Sequence, residues 1–322
     1  MYFRNAATFI LAAIISATTL VSAQAQKPDW AKVSQEQEAE AKKLGIPVAF
    51  ENAAGMRFVL IPAGKFKMGA GQTTMEIAEN CNMPNAQAGW FCDETPQHEV
   101  TLTKAFYMGI TEVTQGQFEK VNNPNPDPNK KKDQPKPEHP EGYEGENNPV
   151  GKMNFGSADQ FCKKLSGQDE EHNYTLPTEA QWEYACRAGT TTPYAFGDTV
   201  STKQANYNGN YTYGDGEKGE NREAPVAAGS LPANPWGLHE MHGNLAEICS
   251  SPYYKYTAEA ETDPVGPEKG GNQKVLRGGS WRSYPGACRS SFRLSGNGGS
   301  YNVGMRLISP LPEPKAEGEE KK

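Results

Sequence analysis

Residues 275–307, VLRGGSWRSYPGACRSSFRLSGNGGSYNVGMRL, decide how this chain is read. Two framing motifs, Arg277 to Ser280 (RGGS) and Asn302 to Arg306 (NVGMR), enclose a Gly-rich, turn-rich segment. Inside it stand one cysteine, Cys288, and two arginines, Arg289 and Arg293, with three residues between them. Any enzymatic reading turns on the few positions around Cys288.

Upstream, residues 240–247 (EMHGNLAE) put a carboxylate at each end of a turn and the backbone carbonyls of Gly243 and Leu245 between them. Calcium, a hard cation, takes about six to eight oxygens of this mixed kind. His239 and His242 flank Glu240 and Met241, but Gly243 opposes the helix that a zinc pair would need, so a solvated pair is expected. After Gly189 no long helical pattern remains, and ANYNGNYTYGDG (205–216) must be turn-rich. Before it, capping-box pairs mark three helix starts: Thr114 with Gln117, Ser157 with Gln160, and Thr178 with Gln181. Ala158, Phe161, Cys162 and Leu165 then fall on one helical face, as do Trp182, Ala185 and Cys186. Residues 57–68 (RFVLIPAGKFKM) read as two strands in a hairpin broken at Pro62 to Gly64, and 98–107 (HEVTLTKAFY) as a further strand. A short surface helix ending at Gly45 fits the charged stretch before it. The Pro-, Asn- and charge-rich stretch 122–148 reads as an exposed loop and 310–322 as a disordered tail.

Residues 1–25 have a basic residue, Arg4, a short apolar run and a small-x-small site at Ala23 to Ala25. They read as a secretory signal peptide, not a membrane span. The expected location is therefore periplasmic or extracellular. The net charge of −7 disfavours nucleic acid as a partner, and 33 Gly with 24 Pro suits a loop-rich globular fold. In an exported chain the six cysteines, Cys81, Cys92, Cys162, Cys186, Cys249 and Cys288, are disulfide candidates, with Cys81 and Cys92 bracketing a polar loop. No C-x-x-C, H-E-x-x-H or G-x-S-x-G occurs.

Seven segments in order resemble the formylglycine-generating, or sulfatase-modifying factor, family. They are 58–69 (FVLIPAGKFKMG), 94–118, 148–165 (NPVGKMNFGSADQFCKKL), 174–189 (YTLPTEAQWEYACRAG), 205–209 (ANYNG), 237–248 (GLHEMHGNLAEI) and the opening stretch. The resemblance implies an α+β fold, related to C-type lectin-like domains and rich in irregular structure, over residues 55–309. A helical extension (26–54) would precede it.

The resemblance also implies a site. Family enzymes oxidise a sulfatase cysteine to formylglycine with oxygen, using copper(I) on two thiolates that follow the GGS motif; soft thiolates select that ion. An ungapped match puts those positions at Ser283 and Cys288, and a serine hydroxyl is a poor copper(I) ligand. Matching Arg289 and Arg293 to the family's paired arginines instead drops both positions and makes Cys288 a structural cysteine, with Cys249 as its disulfide partner. Ser280 and Asn302 match pocket positions, while Ala246 stands where the family usually has tryptophan. Calcium would fall on Glu240, Gly243, Leu245 and Glu247, and a second ion on Asn206, Tyr207 and Asp215. The expected function is an exported domain of this family without cysteine-oxidase activity that binds a peptide or glycan-like ligand. The alternatives are a copper-dependent formylglycine-generating oxidase acting on a sulfatase and a structural envelope module.

Overall fold

A computed structural model describes residues 27–82, 85–124, 143–267 and 273–311. The signal-peptide segment, most of the 122–148 loop and nearly all of the 310–322 tail lie outside the described residues. The described residues run through α1 (Gln35–Leu44), β1 (Ala49–Glu51), β2 (Arg57–Ile61), β3 (Gly64–Met68), α2 (Thr74–Asn80) and β4 (Cys81–Asn82). It continues through β5 (His98–Leu102), β6 (Phe106–Gly109), α3 (Gln115–Asn122), α4 (Phe155–Ser166) and α5 (Glu179–Arg187). Short strands complete it: β7 (Thr212–Tyr213), β8 (Ala246–Pro252), β9 (Glu261–Thr262), β10 (Lys274–Arg277), β11 (Arg293–Gly296), β12 (Val303–Gly304) and β13 (Ile308–Pro310). Among the described residues the strands form sheets ordered β1-β2-β6-β13, β11-β10-β8-β12, β3-β5-β9 and β4-β7. Pairing is antiparallel except for β12 on β8 and β9 on β5. The fold is α+β with much irregular chain, as expected.

The expected hairpin at residues 62–64 does not form. β2 pairs with β1 and β6, whereas β3 pairs with β5 in another sheet. The burial patterns explain the split. Phe58 to Ile61 are all buried, which needs cover on both faces, while β3 alternates and suits a half-exposed position. The single strand expected at 98–107 divides likewise into β5 and β6, which join different sheets. Thr103, at the break, is held by Asp263 through its N–H at 2.8 Å.

The helices follow their caps. Thr114 and Thr178 each form the full capping box. Ser157 does not start α4, because Asn154 does: its Oδ1 accepts from the Ser157 N–H and hydroxyl at 3.0 and 3.2 Å. The apolar stripe of α4 is buried as its spacing required, and so is that of α5. α1 ends at Gly45, with φ of 69°, yet it is more than a surface helix. Gln37 is fully buried and donates to Leu60 O (2.8 Å) and Trp236 O (3.2 Å), tying α1 to β2.

Two cores result. The main one holds Trp182, Ile248, Cys249 and the β2–β6 side chains. A smaller one gathers Ile77, Cys81, Phe91, Tyr194, Tyr207, Tyr213, Cys288 and Phe292. The stretch after β10 runs between them, so the GGS turn is clamped from both sides.

Candidate functional site

The GGS turn needs glycine. Gly279 has φ of +69°, and a Cβ there would lie 2.6 Å from Ala287 O and 2.8 Å from Cys288 Sγ. This tight approach delivers Ser280, whose N–H donates to Ser283 Oγ at 2.9 Å, with the two hydroxyls 3.3 Å apart. Asn302 reaches in from the other framing motif: its Nδ2 donates to Ser280 Oγ at 3.0 Å. Asn302 is itself held by the Ser300 hydroxyl (2.7 Å) and by the Ala246 N–H on its carbonyl (2.9 Å). Ser280, Ser283 and Asn302 thus form one cluster. Beside it opens a cleft of about 430 Å³ lined by Asn208, Asn221, Glu223, Trp281 and Arg282. Asn208 N–H donates to Ser283 O at 2.9 Å, which joins the cleft to the cluster. None of these five residues stood out in the sequence; the only signal was the Asn/Tyr-rich run near 205–214 and the Trp-Arg pair after GGS.

Cys288 is fully buried in the smaller core, and its thiol points to Tyr284 O at 3.7 Å. Burial pushes that thiol up to about 12. Cys81 shares the core, and burial pushes it up to about 11. All six cysteines are free thiols, so neither Cys81–Cys92 nor Cys249–Cys288 is bridged. Position explains this: Cys92 is exposed while Cys81 is buried, and Cys249 and Cys288 belong to different cores. Iodoacetamide on the native chain is therefore expected to label Cys92 alone, the other thiols reacting only after denaturation; peptide mass mapping reads this directly.

The two histidines are not solvated as expected. His242 is fully buried, its Nδ1 against Cys288 O (2.8 Å) and its Nε2 accepting from the Ala195 N–H (3.0 Å). Burial lowers it to about 4, so it stays neutral and structural. His239 Nδ1 sits against Leu231 O at 2.7 Å.

Around the site, buried carboxylates hold buried guanidiniums. Glu94 and Ser291 grip Arg289, Glu179 grips Arg293, and Glu183 bridges Arg187 and Arg277. Glu247 binds Arg306 through both oxygens and also accepts from Trp182 Nε1 at 2.7 Å. Glu240 accepts from the N–H groups of Gly229 and Leu231, each at 2.9 Å. Glu112, which the sequence did not flag, accepts from Asn244 Nδ2 and the Leu245 N–H. Burial, with Glu240 and Glu247 nearby, pushes it well above the usual carboxyl range.

The Sulfatase-modifying factor enzyme 1-like domain family profile matches residues 46–311. The chain belongs to this sulfatase-modifying factor family. Relatives within it include a formylglycine-generating enzyme of Streptomyces coelicolor, 37% identical over 149 residues, covering 42% of this chain and 46% of that protein. Another, from Mus musculus, is 31% identical over 162 residues, covering 47% and 41%. A serine/threonine-protein kinase pkn1 of Chlamydia caviae is 37% identical over 132 residues, which is 39% of this chain and 19% of the kinase. The chain thus spans less than half the length of each of these relatives. PvdO from Pseudomonas aeruginosa has a similar fold, with TM-score 0.60 and 23% identity over 82% of this chain and 98% of PvdO. Treponema denticola variable protein 1 is similar to the same degree, with TM-score 0.58 and 21% identity over 82% and 99%.

Against the sulfatase-modifying factor family's expectations, the donor sets differ. A copper(I) pair does not fit, because Ser283 offers a hydroxyl and the Cys288 thiol is buried and resists ionisation. For the first calcium position, every carboxylate oxygen of Glu240 and Glu247 already accepts from a protein donor, and Arg306 puts a guanidinium where a cation would stand. Among the described residues no three His, Cys, Asp or Glu side chains converge in a metal-holding group. For the second position, Asn206 Oδ1 is buried without a partner among the described residues, and Tyr207 is buried beside it. Asp215 is exposed, unlike these two residues. At the first position these donors do not make a calcium cage as arranged.

Proposed function

We propose that this chain is an exported sulfatase-modifying factor domain that binds a polar ligand in the cleft beside Ser280, Ser283 and Asn302 and does not oxidise cysteine. One observation carries the reading: Ser283, at the first copper-ligand position, turns its hydroxyl to the Ser280 N–H at 2.9 Å. The second position, Cys288, has its thiol sealed in the smaller core. A site for copper(I) needs two accessible thiolates, and the cluster beside the cleft holds two serine hydroxyls and an amide instead. Such groups donate and accept neutral hydrogen bonds, which suits recognition. Export rests on the N-terminal sequence, residues 1–25. Incubating the full chain with a cysteine-containing sulfatase peptide, copper and oxygen is expected to leave the peptide mass unchanged. Conversion of that cysteine to formylglycine, read by mass spectrometry, would overturn the reading.

A further inference from the structure

The turn of residues 240–247 is held by a cation that belongs to the chain. Arg306 has no exposed surface. Its Nε donates to both oxygens of Glu247, at 3.1 and 3.0 Å, and its Nη2 to Glu247 Oε1 at 2.8 Å. Nη2 also donates to His239 O at 2.7 Å, and Nη1 to Gly109 O at 3.0 Å. These acceptors are two carboxylate oxygens and two backbone carbonyls. Calcium takes the same mixture, commonly about six to eight oxygens of it.

Both ends of the turn meet on this one guanidinium. His239 O belongs to the residue before Glu240, and Glu247 closes the turn. Between them Glu240, Gly243 and Asn244 have φ of 52°, 98° and 65°. Residues other than glycine disfavour that left-handed region, so a turn with two of them there has to be tied from outside. Gly243 is also pressed against the Asn206 backbone, where a Cβ would lie 2.2 Å from Asn206 O. Trp182 Nε1 fixes Glu247 from its other side at 2.7 Å.

A calcium ion on Glu247 would have to sit beside the Arg306 guanidinium, where both residues are fully buried. Like charges repel strongly in such a place, and a guanidinium cannot shed its proton to relieve the repulsion. We infer that Arg306 is the built-in cation of this turn, standing in the role of a bound calcium and keeping calcium out. A guanidinium on the chain cannot be removed by a chelator, so the turn stays formed in one. Taking the guanidinium away changes the chemistry. The oxygens of Glu247, His239 and Gly109 would then face a space with Glu112 and Glu240 within electrostatic reach, and that space becomes a calcium site.

Equilibrium dialysis of the full chain against calcium tests this by counting bound ions. The native chain and Glu240→Gln are expected to bind the same number with the same affinity, since an ion held elsewhere is common to both. Arg306→Ala is expected to bind one calcium more than the native chain. Its melting midpoint should also rise further between chelator and calcium than the native midpoint does. The extra ion should vanish in the double variant Arg306→Ala, Glu247→Gln. Calcium bound by the native chain and lost in Glu240→Gln would place an ion in the turn already and overturn the inference. So would an Arg306→Ala chain that is folded, as read by circular dichroism, and gains no ion. Should Arg306→Ala fail to fold with or without calcium, the count for the native chain against Glu240→Gln decides alone.

Discussion

Glu183→Ala is expected to lower unfolding free energy by about 3–5 kcal/mol, the usual cost of leaving a buried charge without its partner. Glu183 has no exposed surface, and neither does the Arg277 it binds. One carboxylate serves three clients: Arg187 Nε at 2.9 Å, the Gly69 N–H at 2.9 Å, and Arg277 Nη2. Truncation takes the carboxylate from a buried Arg187 and leaves Arg277, also buried, with only the more distant Glu179 at 3.7 Å. A loss of this size is a large share of the roughly 5–15 kcal/mol that holds a typical domain, so the urea midpoint should fall steeply. The pH dependence has a definite sign. The Arg187 and Arg277 guanidiniums and the Gly69 N–H hold Glu183 below its usual value despite burial. Its contribution is therefore complete above the unfolded carboxyl value, near ~4.3, and is lost as pH falls through the lower folded value. Glu183→Gln keeps an acceptor for Gly69 but not the charge, so it should be destabilised at neutral pH and lose this acid sensitivity. An alanine variant with an unchanged midpoint would show that the network is dispensable.

That network marks where sequence reading ran out. Local signals were legible: the Thr114 and Thr178 caps, the stripes of α4 and α5, and the Gly45 stop each depend on residues within a turn or two. The family motifs were legible because RGGS and NVGMR keep their order and spacing, and the structure joins them through Asn302 and Ser280. What failed was pairing at long range. Residues 57–68 look like a hairpin because Pro62 to Gly64 makes a good turn, but whether the flanking strands meet depends on β1, β5 and β6. Glu94, Glu179 and Glu183 look like surface charge beside polar neighbours. Their partners lie 94 to 195 residues away, at Arg277, Arg289 and Arg293, and only burial distinguishes them from solvated acids. His242 was misread for the same reason: its ring is fixed by Ala195 and Cys288, neither of which is near it in sequence. In the cleft, Ser280 and Asn302 were reachable from motif matching. Asn208, Asn221 and Glu223 lie in irregular chain whose path no periodicity predicts.

Arg289→Ala is expected to cost a similar amount, about 3–5 kcal/mol, and to do so in the other core. Arg289 is 1% exposed, and its fork binds Glu94 at 2.8 and 2.6 Å. Its guanidinium packs over Phe91 at 5.3 Å and Tyr213 at 5.7 Å, so it also fills space between aromatic rings. Its Nε donates to Gly286 O at 2.8 Å and so pins the 3-10 turn Pro285–Cys288. That turn backs the GGS loop: Gly279 has no room for a Cβ because Ala287 O and Cys288 Sγ are already there. Removing Arg289 therefore leaves Glu94 unpaired and frees the backing of Ser280 and Ser283 at once. Arg289→Lys should rescue little, since an ammonium cannot reproduce the two-pronged contact and the Nε bond together. The damage should be local before it is global. Below the unfolding midpoint, Cys81 and Cys288 should become open to iodoacetamide, while Cys162 and Cys249, in the main core, stay protected. Uniform labelling of all four would mean that the cores unfold as one unit. Continued protection of Cys288 would mean that Arg289 does not hold the turn, and the mechanical link between the buried ion pair and the cleft would fail with it.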